Sequence, residues 1–196
     1  MRIARALRLA AAGLAAVCVF APLAAFAFYK PLRVIAPSLG PVTCVSAEIC
    51  IDDTGSIGQA RRLYAEGLAI VEASLGAPER KPRAIFCTTR DCAKYFGDDV
   101  PAAFNVGTVG FVINPRGMTS YFVAHEMIHH VQNERLGSLS AWSKPVWWRE
   151  GMAYSLSGDP RRPIPGDGTL ERYRVRFERW SEGMDRSTVW AQSEAL

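Results

Sequence analysis

The chain has 196 residues, of which 49% are hydrophobic and 10% aromatic, and its formal net charge is +4. This length suits one domain of ordinary size, and the composition excludes an intrinsically disordered chain. The positive charge does not indicate a nucleic-acid partner, because residues 1–27 hold three arginines and no acid, and the remainder carries only +1.

The first predicted element is an apolar segment. Residues 9–28 contain no charge and follow the three arginines. Their length suits a membrane-spanning helix, whereas Pro22 and the Ala-Phe-Ala triplet at 25–27 are typical of a cleaved signal peptide. We therefore expect residues 1–28 to be a signal anchor or a signal peptide. Either interpretation places the following domain on the extracytoplasmic side, periplasmic or extracellular, since the positive flank stays inside.

Residues 29–43 contain three prolines, which favour an extended tether, and the domain is predicted to cover 44–196. Four cysteines lie in this exported part, at Cys44, Cys50, Cys87 and Cys92. Their short separations favour two local disulfides, Cys44–Cys50 and Cys87–Cys92, although four cysteines allow three connectivities. A zinc site made of the four cysteines is the less favoured alternative in an oxidising compartment.

The next elements alternate between helix and strand. A helix is predicted from the start signal at Asp53 to a stop at Gly76, because apolar residues recur at helical spacing between them. Residues 82–89 are typical of a short buried strand, and residues 103–115 of one strand or a hairpin.

A second helix is predicted to begin at Thr119 or Ser120 and to end at Gly137. The rest is mostly helical, and apolar residues at helical spacing over 170–184 predict an amphipathic helix packed on the domain. Binding of that helix to a membrane surface is the alternative. The fold class is therefore α+β.

All three histidines lie in the segment VAHEMIHHVQNE, within the second helix. His125 and His129 are four residues apart, so one helical face carries both, and their imidazoles can bind one zinc ion. Glu126 flanks that position and is predicted to act as general base on a water bound there. The alternative is a helix with two histidines and no metal. His130 is expected at the surface or beside a ligand residue.

A catalytic zinc needs a third protein ligand and one open position. The metzincin pattern is excluded, because glutamine and arginine occupy its later glycine-spaced positions. Glu150, 21 positions after His129 and near the start of a helical stretch, is the favoured third ligand. Glu134 and Asp159 are weaker candidates.

The H-E-x-x-H motif and Glu150 within the run Trp-Arg-Glu-Gly-Met-Ala resemble the gluzincin metallopeptidases (thermolysin-like, peptidase MA-like), in which E-G-x-A commonly surrounds the third ligand. The resemblance covers roughly residues 105–158. It implies a small zincin-like domain whose motif helix packs beside a β-sheet. It also implies that the segment GTVGFVIN, residues 107–114, is the edge strand that binds substrate backbone.

One position departs from the gluzincin pattern, since many members carry an acid four residues after the ligand glutamate and this chain has Tyr154. Tyr154 is expected to orient a zinc histidine, to stabilise an oxyanion or to pack in the core. A backbone carbonyl is the alternative orienting group. Trp147 and Trp148 are expected to pack at the helix entry rather than bind substrate.

These residues predict an exported metallopeptidase with one Zn²⁺ per chain, which hydrolyses peptide or protein substrates through a zinc-activated water with Glu126 as general base. Two alternatives remain: a non-catalytic, zinc-stabilised peptidase-like binding module, and a zinc amidase acting on cell-wall crosslinks. A membrane is an expected partner through the N-terminal helix if that helix is not cleaved. Nucleic acid is not an expected partner.

Overall fold

The computed structural model describes residues 13–21, 24–26 and 28–196. Pro22, Ala27 and the arginine-rich start, which carry much of the signal-peptide and anchor predictions, lie outside the described residues. Residues 13–21 and 24–26 are helical. Within the described ranges, none of the helices has both the length and the apolar character needed to cross a membrane.

The fold is α+β, as predicted, and contains one mixed five-stranded sheet with strand order β1-β2-β3-β5-β4. The strands are β1 (Thr43–Cys44), β2 (Ile49–Ile51), β3 (Arg83–Phe86), β4 (Ala103–Val106) and β5 (Gly110–Ile113). The three central strands, β2, β3 and β5, run parallel to each other, whereas β1 and β4 are antiparallel to their neighbours and form the edges.

Seven helices surround the sheet in the region from residue 43 onward. They are α1 (Ile57–Leu75), α2 (Arg90–Phe96), α3 (Ser120–Leu136), α4 (Ser138–Ser143), α5 (Val146–Leu156), α6 (Thr169–Trp180) and α7 (Arg186–Glu194). The predicted helices α1, α3 and α6, the buried strand β3 and the hairpin of β4 and β5 are confirmed. Helix α6 packs along α5 and buries Phe177, which confirms its predicted packing on the domain.

Side chains alternate across the strands, so the sheet has two different faces. We call one the helix face: Ile51, Phe86 and Ile113 point from it into the larger apolar core, together with buried residues of α1, α3 and α5. We call the other the disulfide face: its smaller core contains Cys50, Ile85 and Val112, together with buried residues of α2 and of the segment before β1.

The segment before β1 differs from the predicted extended tether. Lys30–Val34 and Pro37–Leu39 form two short 3₁₀ helices, and Val34 is fully buried in the core of the disulfide face. Arg33 also donates from Nη1 to the carbonyl of Tyr95 at 2.7 Å. Prolines at the first turn are compatible with a helical start, and burial of Val34 favours a packed conformation.

The edge-strand prediction for residues 107–114 is wrong. Their strand, β5, lies between β3 and β4 and is buried along its length, and β4 is the edge strand. The reason is the direction of the hairpin: its second strand pairs in parallel with β3, which leaves the first strand outside. Asn105 of β4 donates from Nδ2 to the carbonyl of Glu126 at 3.3 Å, so the true edge strand lies beside α3.

Two glycines set how closely the helices of the helix face approach each other. A Cβ on Gly67 of α1 would lie 2.6 Å from Cγ1 of Val123, on α3. A Cβ on Gly151 of α5 would lie 2.4 Å from the carbonyl oxygen of Tyr173, on α6. Both contacts are too short for a side chain. Gly151 follows Glu150 directly, so the tight α5–α6 contact fixes the helix that carries this candidate ligand.

Candidate metal centre

Two helices carry the candidate metal ligands. α3 follows Thr119, whose extended backbone is that of an N-cap residue, and it ends before Gly137 with a positive φ of 77°. α5 begins after Pro145, which is extended and accepts the first backbone hydrogen bonds of the helix. The two helices pack against each other. This packing brings Glu150 opposite the helical face that carries the two candidate histidines.

The three predicted ligands converge on one point. The Nε2 atoms of His125 and His129 are 3.1 Å apart. One carboxylate oxygen of Glu150 lies 3.5 Å from Nε2 of His125, and the other lies 3.6 Å from Nε2 of His129. One ligand atom from each residue falls within 4.8 Å of the other two. The structure therefore brings together residues that are up to 25 positions apart in the sequence.

These distances fit a zinc ion. A tetrahedral zinc with bonds of about 2.0–2.1 Å places its ligand atoms about 3.3–3.4 Å apart. The observed separations of 3.1, 3.5 and 3.6 Å lie close to that value. Two neutral imidazoles and one carboxylate are also a donor set that zinc prefers, with the fourth position left for water or substrate.

Gln132 orients one of the histidines. Nδ1 of His129 lies 2.8 Å from Oε1 of Gln132, an acceptor, so Nδ1 carries the proton and the lone pair of Nε2 faces the metal position. The Gln132 amide in turn donates to the carbonyl of Arg149 at 3.0 Å, on α5. The buried amide therefore links the helix of the histidines to the helix of the glutamate.

Tyr154 lies against the other histidine. Its ring centroid is 4.4 Å from that of His125, in an edge-to-face arrangement. Among the described residues, Nδ1 of His125 is buried without a hydrogen-bond partner, so Tyr154 packs on this ring rather than accepting its proton. Burial and the nearby Glu150 raise the pKa of Tyr154 to about 12, so its hydroxyl keeps its proton at neutral pH.

The ion pairs of the cluster favour positive charge at the metal position. Burial alone would raise the pKa of Glu150, but His125 and His129 outweigh it and hold this pKa far below the usual range. Burial alone would lower the pKa of His129, but Glu150 and its neighbours raise it to about 9. The carboxylate of Glu150 thus favours a positive charge between itself and the two imidazoles.

Glu126 is buried next to this cluster, with 4% of its surface exposed. Burial raises the pKa of its carboxyl, although the two histidines act in the opposite direction. A group that both accepts and returns a proton is most effective when its pKa is close to the working pH, and burial shifts the pKa of Glu126 in that direction. The position one residue after His125 and this burial suit the predicted general base.

The weaker ligand candidates are engaged elsewhere. Glu134 accepts hydrogen bonds from the backbone N–H groups of Glu79 and Arg80, and His130 lies 3.1 Å from its carboxylate. Asp159 forms an ion pair with Arg161. His130 is 1% exposed and not at the surface, because its Nε2 also donates to the carbonyl of Arg80.

The two tryptophans behave as predicted. Trp148 is fully buried, and Trp147 packs edge-to-face with Trp180 of α6 at 6.0 Å. Neither ring lines the cleft in front of the metal centre.

A cleft of about 1090 Å³ opens in front of the candidate ligands. Its walls come from β4, α3, α4, α5 and the segment after Gly158. Leu139 and Trp142 of α4 line it while remaining 84% and 75% exposed. The cleft is large enough for several residues of an extended peptide.

The sequence analysis missed three residues of the site. Gln132, three positions after His129, had been used only to exclude the metzincin pattern, although its helical spacing is a signal for side-chain contact. Asn105 and Arg161 reach the site only through the path of the chain, and no local pattern marks them. No protein-family model, curated protein or solved structure matches the chain.

Proposed function

We propose that this protein is a zinc-dependent metallopeptidase of the gluzincin type that hydrolyses peptide bonds. The observation that carries the proposal is the convergence of His125, His129 and Glu150 at distances suited to tetrahedral zinc. A purely structural zinc site normally has four protein ligands. This cluster has three, and the cleft lies on its open side.

When bound, zinc would supply a Lewis acid that polarises a substrate carbonyl and lowers the pKa of water. Glu126 accepts the proton of the attacking water and passes it to the leaving amine. Its buried carboxyl, with a raised pKa, suits both transfers. A non-catalytic binding module would have no use for such a base.

The neighbouring groups have separate roles in this proposal. Gln132 holds His129 in the tautomer that leaves Nε2 free. The protonated hydroxyl of Tyr154 is a suitable donor to the oxygen of the reacting carbonyl. Among the described residues no strand pairs with the outer side of edge strand β4, which lines the cleft and is suited to bind an extended substrate there.

The two disulfides support export of the domain. The pairs are the predicted ones, Cys44–Cys50 and Cys87–Cys92. Disulfides persist in oxidising compartments. We therefore place the peptidase on the extracytoplasmic side of a membrane, held there if the N-terminal segment is retained.

A peptide library tests the activity. The zinc-loaded protein is incubated with it, with and without a chelator, and the products are read by mass spectrometry. We expect chelator-sensitive cleavage, and a loss of at least about a hundredfold in rate for Glu126→Gln, which keeps the shape of the side chain but removes the base.

The zinc content of Glu126→Gln is the matched control, and it should equal that of the unchanged protein. Zinc binding without cleavage of any peptide would reject the peptidase in favour of a binding module. Cleavage by Glu126→Gln at the original rate would reject the role of the base.

A further inference from the structure

The charged residues that line the cleft fall into two sets. Glu126 and Glu150 belong to the metal centre. The other charged lining residues are three arginines, Arg116, Arg149 and Arg161, and the described lining includes no aspartate or lysine. Outside the metal centre, the cleft therefore presents only positive side-chain charge to a substrate.

Arg161 is the arginine whose guanidinium is fixed most firmly. Its Nε donates to both carboxylate oxygens of Asp159, at 2.9 and 3.1 Å, and its Nη2 donates to one of them at 2.5 Å. The side chain of Asp159 is 1% exposed, while that of Arg161 is 29% exposed. In the described part of the chain, Nη1 has no hydrogen-bond partner, so one edge of the guanidinium remains available.

Aromatic rings support the face of the same guanidinium. Its central carbon lies 5.2 Å from the ring centroid of Tyr121 and 4.7 Å from that of Phe122. Both rings line the cleft. A guanidinium stacked on rings and paired along one edge loses little further freedom when it binds a ligand.

The backbone that carries Arg161 is held as well. The fully buried Arg174 of α6 donates from Nη1 to the carbonyl of Arg161 at 2.8 Å. Glu171 of the same helix accepts from the N–H of Ile164 at 3.0 Å and pairs with Arg174. Arg174 occupies a polar position of this amphipathic helix, yet it is fully buried. Its burial fastens the Arg161 segment to α6.

The guanidinium of Arg161 lies over α3 at Tyr121, which relates its position to that of the scissile bond. Tyr121, under the guanidinium, precedes His125 by four residues, which is about 6 Å along a helix axis. Consecutive Cα atoms of a peptide are about 3.8 Å apart. The separation of Tyr121 and His125 along α3 therefore matches one or two residues of an extended peptide, and Arg161 lines the same cleft as the candidate ligands.

We propose that Arg161 is a specificity-determining residue that binds a carboxylate of the substrate close to the scissile bond. The inference rests on the proposed function and narrows its substrate class to peptides with a negative charge near the cleaved bond. The carboxylate belongs either to the C-terminus of the peptide or to an aspartate or glutamate side chain. A salt link of Nη1 to a carboxylate is charge-assisted and directional, which suits recognition.

Binding without turnover tests the inference separately from the activity. Zinc-loaded Glu126→Gln protein is titrated with three fluorophore-labelled peptide libraries, and binding is read by fluorescence polarisation. The first has a free C-terminal carboxylate and neutral side chains, the second has an amidated C-terminus and acidic side chains, and the third is amidated and neutral. We expect the first or the second to bind at least about tenfold more tightly than the third, and the tighter one identifies the source of the carboxylate.

A change at Arg161 alone would leave the buried Asp159 unpaired, so the fold itself would be at risk. The test variant is therefore Arg161→Gln combined with Asp159→Asn, in the Glu126→Gln protein. We expect its preference for carboxylate to fall to less than about twofold, since the guanidinium of Arg161 no longer supplies a charge-assisted bond. Arg162→Gln is the matched control, because this neighbouring side chain is 59% exposed, pairs with Glu178 and does not line the cleft.

The control variant should keep the full preference. Equal binding of the three libraries, no binding of any of them, or a preference that survives the double change would each overturn the inference. Cleavage of the same libraries by the protein with its native Glu126 reports separately on the proposed function.

Discussion

The two faces of the sheet are stabilised in different ways. The helix face buries a large apolar core against α1, α3 and α5, and the candidate metal ligands project from the outer side of that packing. The disulfide face has a small core, covered by α2 and the segment Lys30–Val34. Both disulfides contribute to it, through Cys50 and through the Cys87–Cys92 pair.

The two faces are therefore expected to respond differently to substitution. On the helix face the distance between α3 and α5 sets the positions of the ligands, so a change in packing there should disturb both the fold and the metal centre. On the disulfide face no candidate ligand is present among the described residues. A change there should lower stability and leave the metal centre intact.

The largest expected effect on stability is on the helix face. In Gly67→Ala the new methyl group meets Val123 of α3 at 2.6 Å, so α1 must move away. We expect unfolding in urea to require about 1–3 kcal/mol less free energy, despite the higher helix propensity of alanine. Zinc affinity should fall too, because Val123 lies two residues before His125.

Gly58→Ala is the matched control in the same helix. No atom lies within 4 Å of a Cβ at this position. The change should be neutral or stabilise the protein by up to about 1 kcal/mol. Equal effects of the two substitutions would contradict the close α1–α3 contact.

The second prediction concerns the disulfide face. Replacing Cys87 and Cys92 together by alanine should lower the free energy of unfolding by about 2 kcal/mol, the value for a short closed loop. At pH 7 and without denaturant, the zinc dissociation constant of the double variant should equal that of the unchanged protein. Loss of zinc in a variant that is still folded would contradict the separation of the two faces.

The smallest effect is expected next to that disulfide. Asp52 accepts hydrogen bonds from the backbone N–H and hydroxyl groups of Thr88 and Thr89. Burial opposes ionisation of Asp52, but these hydrogen bonds outweigh it and hold its pKa below 3.8. The folded pKa is therefore lower than the unfolded one, and the ionised group stabilises the fold above about pH 4.

Asp52→Asn should accordingly destabilise the protein by about 1 kcal/mol at pH 7. The difference from the unchanged protein should shrink as the pH falls through the pKa of Asp52, because protonation removes the same stabilisation. Urea unfolding at several pH values measures it. A difference that stays constant from neutral to strongly acidic pH would show that the charge of Asp52 has no part in it.

The features predicted correctly from the sequence are those determined by residues close together along the chain. The ends of α1 and α3 follow from the stop glycines Gly76 and Gly137, and the proximity of His125 and His129 follows from the geometry of one helix. The disulfides join cysteines only five and six positions apart. These features depend on residues that are neighbours along the chain.

What the sequence did not reveal depends on contacts between distant segments. The place of β5 inside the sheet results from its pairing with β3, and the packing of Val34 results from the core of the disulfide face. Arg174 resembles a solvated residue of an amphipathic helix, yet it is buried because the Arg161 segment folds over it. No spacing rule within α6 distinguishes it from its exposed neighbours.

The central claim is that Glu150 completes a zinc centre with the two histidines of α3. Its most direct test is the zinc content and zinc dissociation constant of Glu150→Ala, measured on dialysed protein beside the unchanged chain and Glu66→Ala, an exposed glutamate of α1. We predict one zinc per chain in the unchanged protein and in Glu66→Ala. In Glu150→Ala we predict a zinc affinity at least about tenfold weaker, because removing a ligand costs more affinity than removing a residue that only hydrogen-bonds to a ligand. Stoichiometric zinc with unchanged affinity in Glu150→Ala would contradict the account.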